Sequence, residues 1–127
     1  MAQILIVDDD IQLLELMSIA FRKSQHEVTT AIDGKKALAK LREQTFDVVI
    51  TDIIMPEADG IELLSEISKM RRRPAIIAIS GGSQRIHADL LLAAANALKA
   101  DIVIQKPVTP RQLLEATETL LVSRGTL

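Results

Sequence analysis

The chain has 127 residues with a formal net charge of −2, and 48% of them are hydrophobic, which suffices for one domain with a sizeable core. A slightly acidic chain lacks the basic surface that a nucleic acid backbone requires, and the lack of cysteine excludes disulfides and thiolate metal sites. Since no apolar run approaches the roughly 20 residues that cross a membrane, we expect one cytoplasmic domain over residues 1–127, with no effector domain, no direct DNA contact and no membrane segment.

Short apolar segments alternate with helical patterns along the chain. Strands are predicted at residues 4–7, 28–31, 48–51, 75–79 and 102–104, of which 28–31 is the weakest. These segments are continuously apolar rather than alternating, which indicates burial on both faces, as in a parallel sheet. Apolar residues at helical spacing lie between the strands and after the last one, most clearly in the repeats that begin at Leu13 and at Leu113.

Turn and capping residues indicate where helices begin and end. Asp33 precedes the second helix and Asp59 the third, while Thr109 opens the last helix with proline next and Gln112 completing a capping box. Residues 71–73, all arginine, are interpreted as the end of the third helix, where positive charge complements the helix dipole. A fourth helix is predicted at 90–98. It is apolar nearly all round, and either docks a partner or is merely rich in alanine, the best helix former.

These elements predict an α/β fold made of five strand–helix units. Such short alternating units require parallel strands with right-handed crossovers, and five of them form an open, doubly wound sheet rather than a barrel. Sheets of this kind bind ligands beyond the carboxyl ends of their strands. The residues that follow each strand are therefore the first candidates for a functional site.

Charged and polar side chains follow four of the predicted strands. Asp8 and Asp9 follow the first strand, Asp52 the third, Ser80 the fourth and Lys106 the fifth. Clustered carboxylates need a counter-charge, and a hard divalent cation such as Mg²⁺ or Mn²⁺ provides one. Three carboxylates then balance one lysine and one divalent cation. An aspartate held in this way is a plausible nucleophile toward phosphorus, with Ser80 able to bond a phosphoryl oxygen.

A plainer interpretation is open for each aspartate taken alone. A single aspartate after a strand more often faces solvent or caps the next helix, and for Asp10 we prefer that interpretation. For the whole set the site is favoured, because several independent strand ends carry matching chemistry.

The chain is similar to the receiver domains of two-component response regulators, of the single-domain type found in chemotaxis regulators. The residues that carry the resemblance are Asp8, Asp9, Asp52, Met55, Pro56, Gly60, Ser80, Lys106 and Pro107. The resemblance implies a flavodoxin-like sheet with strand order 2-1-3-4-5. It also implies that a histidine kinase or histidine phosphotransfer protein is the phosphoryl donor.

The family resemblance further implies individual roles at the site. Asp52 is the implied phosphoacceptor, and it binds Mg²⁺ directly together with Asp9 and the backbone carbonyl of Ile54. Asp8 holds the cation through water, and Lys106 contacts the phosphoryl group. The peptide bond between Lys106 and Pro107 is expected to be cis.

Readout of phosphorylation departs from the family pattern. Family members pair the hydroxyl at Ser80 with an aromatic switch residue three positions before the lysine, and here that position is Val103. The resemblance implies a monomer or weak dimer that meets an unknown downstream protein through its fourth and fifth helices.

A phosphorelay intermediate or phosphate sink without conformational output is an alternative function. A small phosphatase of the haloacid dehalogenase type, using Asp8 and Asp10, is a less favoured one.

Overall fold

The structure is a computed structural model that describes residues 2–52, 60–80 and 100–126. Its strands are β1 (Gln3–Val7), β2 (Glu27–Ala31), β3 (Val48–Asp52), β4 (Ala75–Ser80) and β5 (Ile102–Gln105). Its helices are α1 (Ile11–Lys23), α2 (Gly34–Glu43), α3 (Gly60–Ser68) and α4 (Pro110–Ser123), the last being the fifth of the helices predicted from the sequence. Every predicted strand is present within one residue of its predicted bounds.

The five strands form one parallel sheet in the order β2-β1-β3-β4-β5, which confirms the predicted topology. The register places Val7 beside both Ala31 and Thr51, and Asp52 beside Ile79. Because the strands run in one direction, their carboxyl ends lie along one edge of the sheet. That edge is called the carboxyl edge below, and the opposite one the amino edge.

Two apolar layers cover the sheet, one on each face. Successive side chains along a strand point to opposite faces, so Ile4 and Ile6 join the cluster formed with α1 and α4, while Leu5 and Val7 join the cluster formed with α2 and α3. Phe21 is fully buried in the first cluster. The continuous apolarity of β1, β3 and β4 follows from this arrangement, because each strand supplies both layers.

Local capping sets the starts of three helices. The side chain of Asp10 accepts a hydrogen bond from the Leu13 amide at 3.2 Å, and that of Asp33 accepts one from Lys36 at 2.8 Å. Thr109 forms the predicted capping box at the start of α4. Asp10 was expected either to face solvent or to cap the next helix, and the structure shows the cap.

Two expectations about the fold are wrong. The strands β2 and β5 are only partly buried, because both are edge strands with a neighbour on one side. Residues 71–73 do not end the third helix, since α3 ends at Ser68 and the arginines lie in the connection to β4. Their charge therefore does not complement the last turn of α3.

Several predicted features lie outside the described residues. These are the fourth helix at 90–98, the Ile54 carbonyl, and Met55 with Pro56. Across the described ranges, none of the helices has the length and apolar character needed to span a lipid bilayer.

Candidate functional site

The carboxyl edge brings together the charged residues that the sequence singles out. Asp52 ends β3, while Asp8 and Asp9 directly follow the neighbouring strand β1. One carboxylate oxygen from each of these three residues lies within 4.8 Å of the others. Lys106, directly after β5, reaches across to the same cluster. Four residues from three distant parts of the sequence thus form one constellation because parallel strands end at a common edge.

The shortest contact in the cluster joins Asp52 and Lys106. The lysine Nζ donates a hydrogen bond to Asp52 Oδ2 at 2.8 Å, and it lies 3.8 Å from Asp8 Oδ2. Both carboxylates are almost fully buried, whereas the lysine side chain remains 31% exposed. Burial acts to lower the pKa of Lys106, but the hydrogen bond and charge of Asp52, with the charges of Asp8 and Asp9, outweigh it and raise this pKa above its ordinary value. Lys106 is therefore a permanent cation at the site.

Asp8 has an unfavourable place for a charged carboxylate. Burial raises its pKa from 3.8 to about 6, and the charges of Asp52 and Asp9 act in the same direction. The Asp10 amide, which donates to Asp8 Oδ1 at 2.9 Å, and the charge of Lys106 only partly oppose this. The other oxygen, Oδ2, is buried without a hydrogen-bond partner in the described part of the chain. A buried acceptor of this kind calls for a ligand.

Ser80 supplies a neutral polar group at the end of β4. Its side chain is fully buried, and its Oγ has no hydrogen-bond partner among the residues that the structure describes. Its backbone carbonyl accepts a hydrogen bond from the Lys106 amide at 2.8 Å, which ties the ends of β4 and β5 together. The peptide bond between Lys106 and Pro107 is cis, as predicted.

The donor set fits a hard divalent cation. Three carboxylates and one lysine leave a net charge of about −2 at neutral pH when all are ionised, and all available ligand atoms are oxygens, which Mg²⁺ and Mn²⁺ prefer. The unpartnered Oδ2 of Asp8 is an acceptor that such an ion, directly or through water, would satisfy. The predicted fourth ligand, the Ile54 carbonyl, lies outside the described residues.

One polar residue near the site is missed by the sequence reasoning. Thr51 is fully buried in β3, and its hydroxyl donates to the Asp52 carbonyl at 2.9 Å. Its hydroxyl stands among the apolar residues of the predicted strand, and that contrast could have identified Thr51 as a candidate. Val103, the expected switch position, is partly buried, pairs with Ala78 and packs against the α2–α3 layer.

Comparisons with known proteins agree on one family. Residues 4–118 match the response regulator receiver domain family. The transcriptional regulatory protein CpxR homolog of Haemophilus influenzae is 35% identical over 121 residues, which are 95% of this chain and 51% of that protein. The chain thus spans about half the length of this curated relative.

Solved structures show the same fold over nearly the whole of the given chain. A CheY-like response regulator receiver domain protein from Methanospirillum hungatei has a TM-score of 0.89 at 30% identity, covering 98% of this chain and 97% of that one. The chemotaxis response regulator CheY4 of Vibrio cholerae has a TM-score of 0.82 at 29% identity, covering 95% and 99%. With the carboxyl-edge constellation, these matches lead to one conclusion: the chain belongs to the response regulator receiver domain family.

Proposed function

We propose that the chain accepts a phosphoryl group on the Asp52 carboxylate from a phosphohistidine of a histidine kinase or histidine phosphotransfer protein. The observation that carries this proposal is the contact of 2.8 Å between the buried Asp52 and Lys106 within a three-carboxylate cluster. In the reaction an oxygen–phosphorus bond forms at Asp52 as the nitrogen–phosphorus bond breaks, and the imidazole leaves with the bonding electron pair. The product is an aspartyl phosphate.

The protein contributes position and charge to this step. Phosphoryl transfer needs little covalent chemistry beyond alignment and neutralisation of the phosphoryl oxygens. Lys106, held beside Asp52, is suited to contact one of these oxygens, and the Ser80 hydroxyl, which has no hydrogen-bond partner among the described residues, is suited to donate to another. Asp8, Asp9 and Asp52, with the Ile54 carbonyl as a proposed further ligand, would hold a divalent cation, which would supply positive charge to neutralise the phosphoryl group.

Intact-mass measurement with a small phosphodonor tests the proposal. Wild type incubated with acetyl phosphate and Mg²⁺ should gain one phosphoryl mass, and Asp52→Asn should gain none. Asp33→Asn is a matched control, because it makes the same chemical change at the same edge and asparagine also caps helices well. Absence of a phosphoryl group on wild type contradicts the proposal. Label that survives Asp52→Asn but is lost in Asp8→Asn favours the phosphatase alternative.

The valine at position 103 favours a second candidate function, that of a phosphorelay intermediate or phosphate sink without conformational output. A partly buried valine packed on the α2–α3 layer has no large ring that could turn between buried and exposed positions. Backbone amide shifts recorded with and without beryllofluoride and Mg²⁺ separate the two functions. Shifts that extend from Asp52 to β5 and α4 support signal output, whereas shifts confined to the carboxyl edge support the sink.

The proposal also covers the molecules that the chain would bind after it is phosphorylated. We propose that a downstream protein binds the surface that includes α4, and that the chain contacts no nucleic acid directly. The cytoplasmic location and the monomer or weak dimer remain predictions.

A further inference from the structure

A cationic cavity lies at the amino edge, at the other end of the sheet from Asp52. It has a volume of about 420 Å³, and four arginines contribute to its lining. Arg71, Arg72 and Arg73 come from the connection between α3 and β4, and Arg124 directly follows α4. Two segments that are distant in sequence therefore bring arginines to the lining of one concave surface.

A hydrogen bond joins the two segments. Arg124 donates from its guanidinium to the Arg73 carbonyl at 2.8 Å, which fixes the end of α4 against the arginine connection. An adjoining cavity of about 500 Å³ shares Arg71, Arg73 and Arg124. The arginines thus belong to the lining of two adjoining concave surfaces.

Neighbouring carboxylates offset only part of the charge of these arginines. Asp47 accepts a hydrogen bond from the Gln3 amide at 2.7 Å, and Asp101 accepts one from the Ile76 amide at 2.7 Å. Within the described ranges, none of the four arginines forms an ion pair with a carboxylate. Four arginines and two aspartates give a local charge of about +2 at neutral pH, opposite in sign to the net charge of −2 of the whole chain.

We propose that this cavity binds a compact ligand carrying two or more linked phosphate groups, of the pyrophosphate or nucleoside polyphosphate class. Guanidinium groups bind phosphate oxygens in paired hydrogen bonds, and arginines on two segments match two linked phosphates better than one. The volume falls within the range of about 300 to 1,000 Å³ that small-molecule sites occupy. A concave site of this size favours a small polyanion over an extended acidic protein segment, and the acidic chain as a whole disfavours nucleic acid.

Titration with inorganic tripolyphosphate, followed by backbone amide shifts, tests the proposal. The whole chain is used without Mg²⁺, which would chelate the probe. The expected result is saturable shifts centred on residues 71–73 and 124. Arg71→Gln and Arg124→Gln should each weaken binding by about tenfold or more, as expected for loss of charge-assisted hydrogen bonds. Arg22→Gln, an exposed arginine that lines neither cavity, is the matched control and should bind as wild type.

Further measurements separate this site from general charge attraction. Arg71 is exposed and makes no hydrogen bond within the described residues, so Arg71→Gln should unfold at the wild-type temperature, whereas Arg124→Gln also loses its hydrogen bond to the Arg73 carbonyl and should unfold at a slightly lower temperature, which thermal melts check. Orthophosphate should bind at least about tenfold more weakly than tripolyphosphate. The proposal is overturned if Arg22→Gln weakens binding as much as Arg71→Gln, if the shifts centre on Asp8, Asp52 and Lys106, or if a glutamate-rich peptide binds more tightly than tripolyphosphate.

Discussion

Asp8→Asn should make the cation-free protein more stable at neutral pH. Asp8 is buried beside two other carboxylates, and its pKa is raised from 3.8 to about 6. The neutral asparagine has nearly the same shape and keeps an oxygen that can accept the hydrogen bond from the Asp10 amide. The substitution therefore removes the buried charge and leaves the local backbone contact in place.

The magnitude follows from the difference in pKa. The folded protein binds a proton at Asp8 more tightly than the unfolded chain does, so the free energy of unfolding falls as pH rises from about 4 to about 6. One pKa unit corresponds to about 1.4 kcal/mol, which gives a full loss of about 3 kcal/mol above this window. Asparagine does not titrate. The variant should therefore exceed wild type by about 1 to 3 kcal/mol at pH 7.5 and match it near pH 4.

Urea unfolding in EDTA at both pH values measures this difference. Asp33→Asn serves as the control, since its carboxylate lies outside the three-residue acidic cluster, and it should change stability by less than about 0.5 kcal/mol. If Asp8→Asn is less stable than wild type at pH 7.5, or if its advantage is equal at both pH values, the account of Asp8 as a destabilising buried charge is wrong.

Three further predictions concern the site and the fold. Lys106→Met should lower the free energy of unfolding by about 1 to 3 kcal/mol in urea at pH 7.5, because buried Asp52 loses its hydrogen-bonded cation, and it should slow phosphorylation from acetyl phosphate at least about tenfold in intact-mass time courses. Millimolar Mg²⁺ should raise the melting temperature of wild type but not of Asp9→Asn, and equal stabilisation of both would contradict the assigned cation site. Thr109→Ala should cost about 1 kcal/mol in urea through loss of the capping box, whereas Thr119→Ala, within the same helix and exposed, should cost less than about 0.5 kcal/mol.

Local sequence patterns were sufficient for most of the fold. Continuous apolar segments predicted β1, β3 and β4 within one residue, because a strand covered on both faces needs mostly apolar side chains; the edge strands β2 and β5 were also predicted within one residue although they are only partly buried. Capping chemistry located the starts of α2 and α4, since a cap depends on residues only a few positions apart. The end of α3 was predicted incorrectly, because the arginines at 71–73 have the charge expected of a last turn although the helix stops at Ser68.

Tertiary structure decided what local patterns could not. Which strands lie at the edges, and hence the partial burial of β2 and β5, depends on the order of the whole sheet. Asp8, Asp9, Asp52 and Lys106 were identified as candidate site residues from their positions after strands. By contrast, the raised pKa of Asp8 and the Lys106–Asp52 contact of 2.8 Å come from burial and from the meeting of β1, β3 and β5 at one edge.

The cationic cavity also combines a feature that is visible in the sequence with one that only the fold creates. An arginine triplet is visible in the sequence, but its pairing with Arg124 arises only when α4 packs beside the connection between α3 and β4. Sequence alone thus determined the strands, the helix starts and the candidate chemistry, because these depend on neighbours along the chain. Only the folded chain determined which charges share a buried or concave environment, because that depends on residues brought together from distant segments.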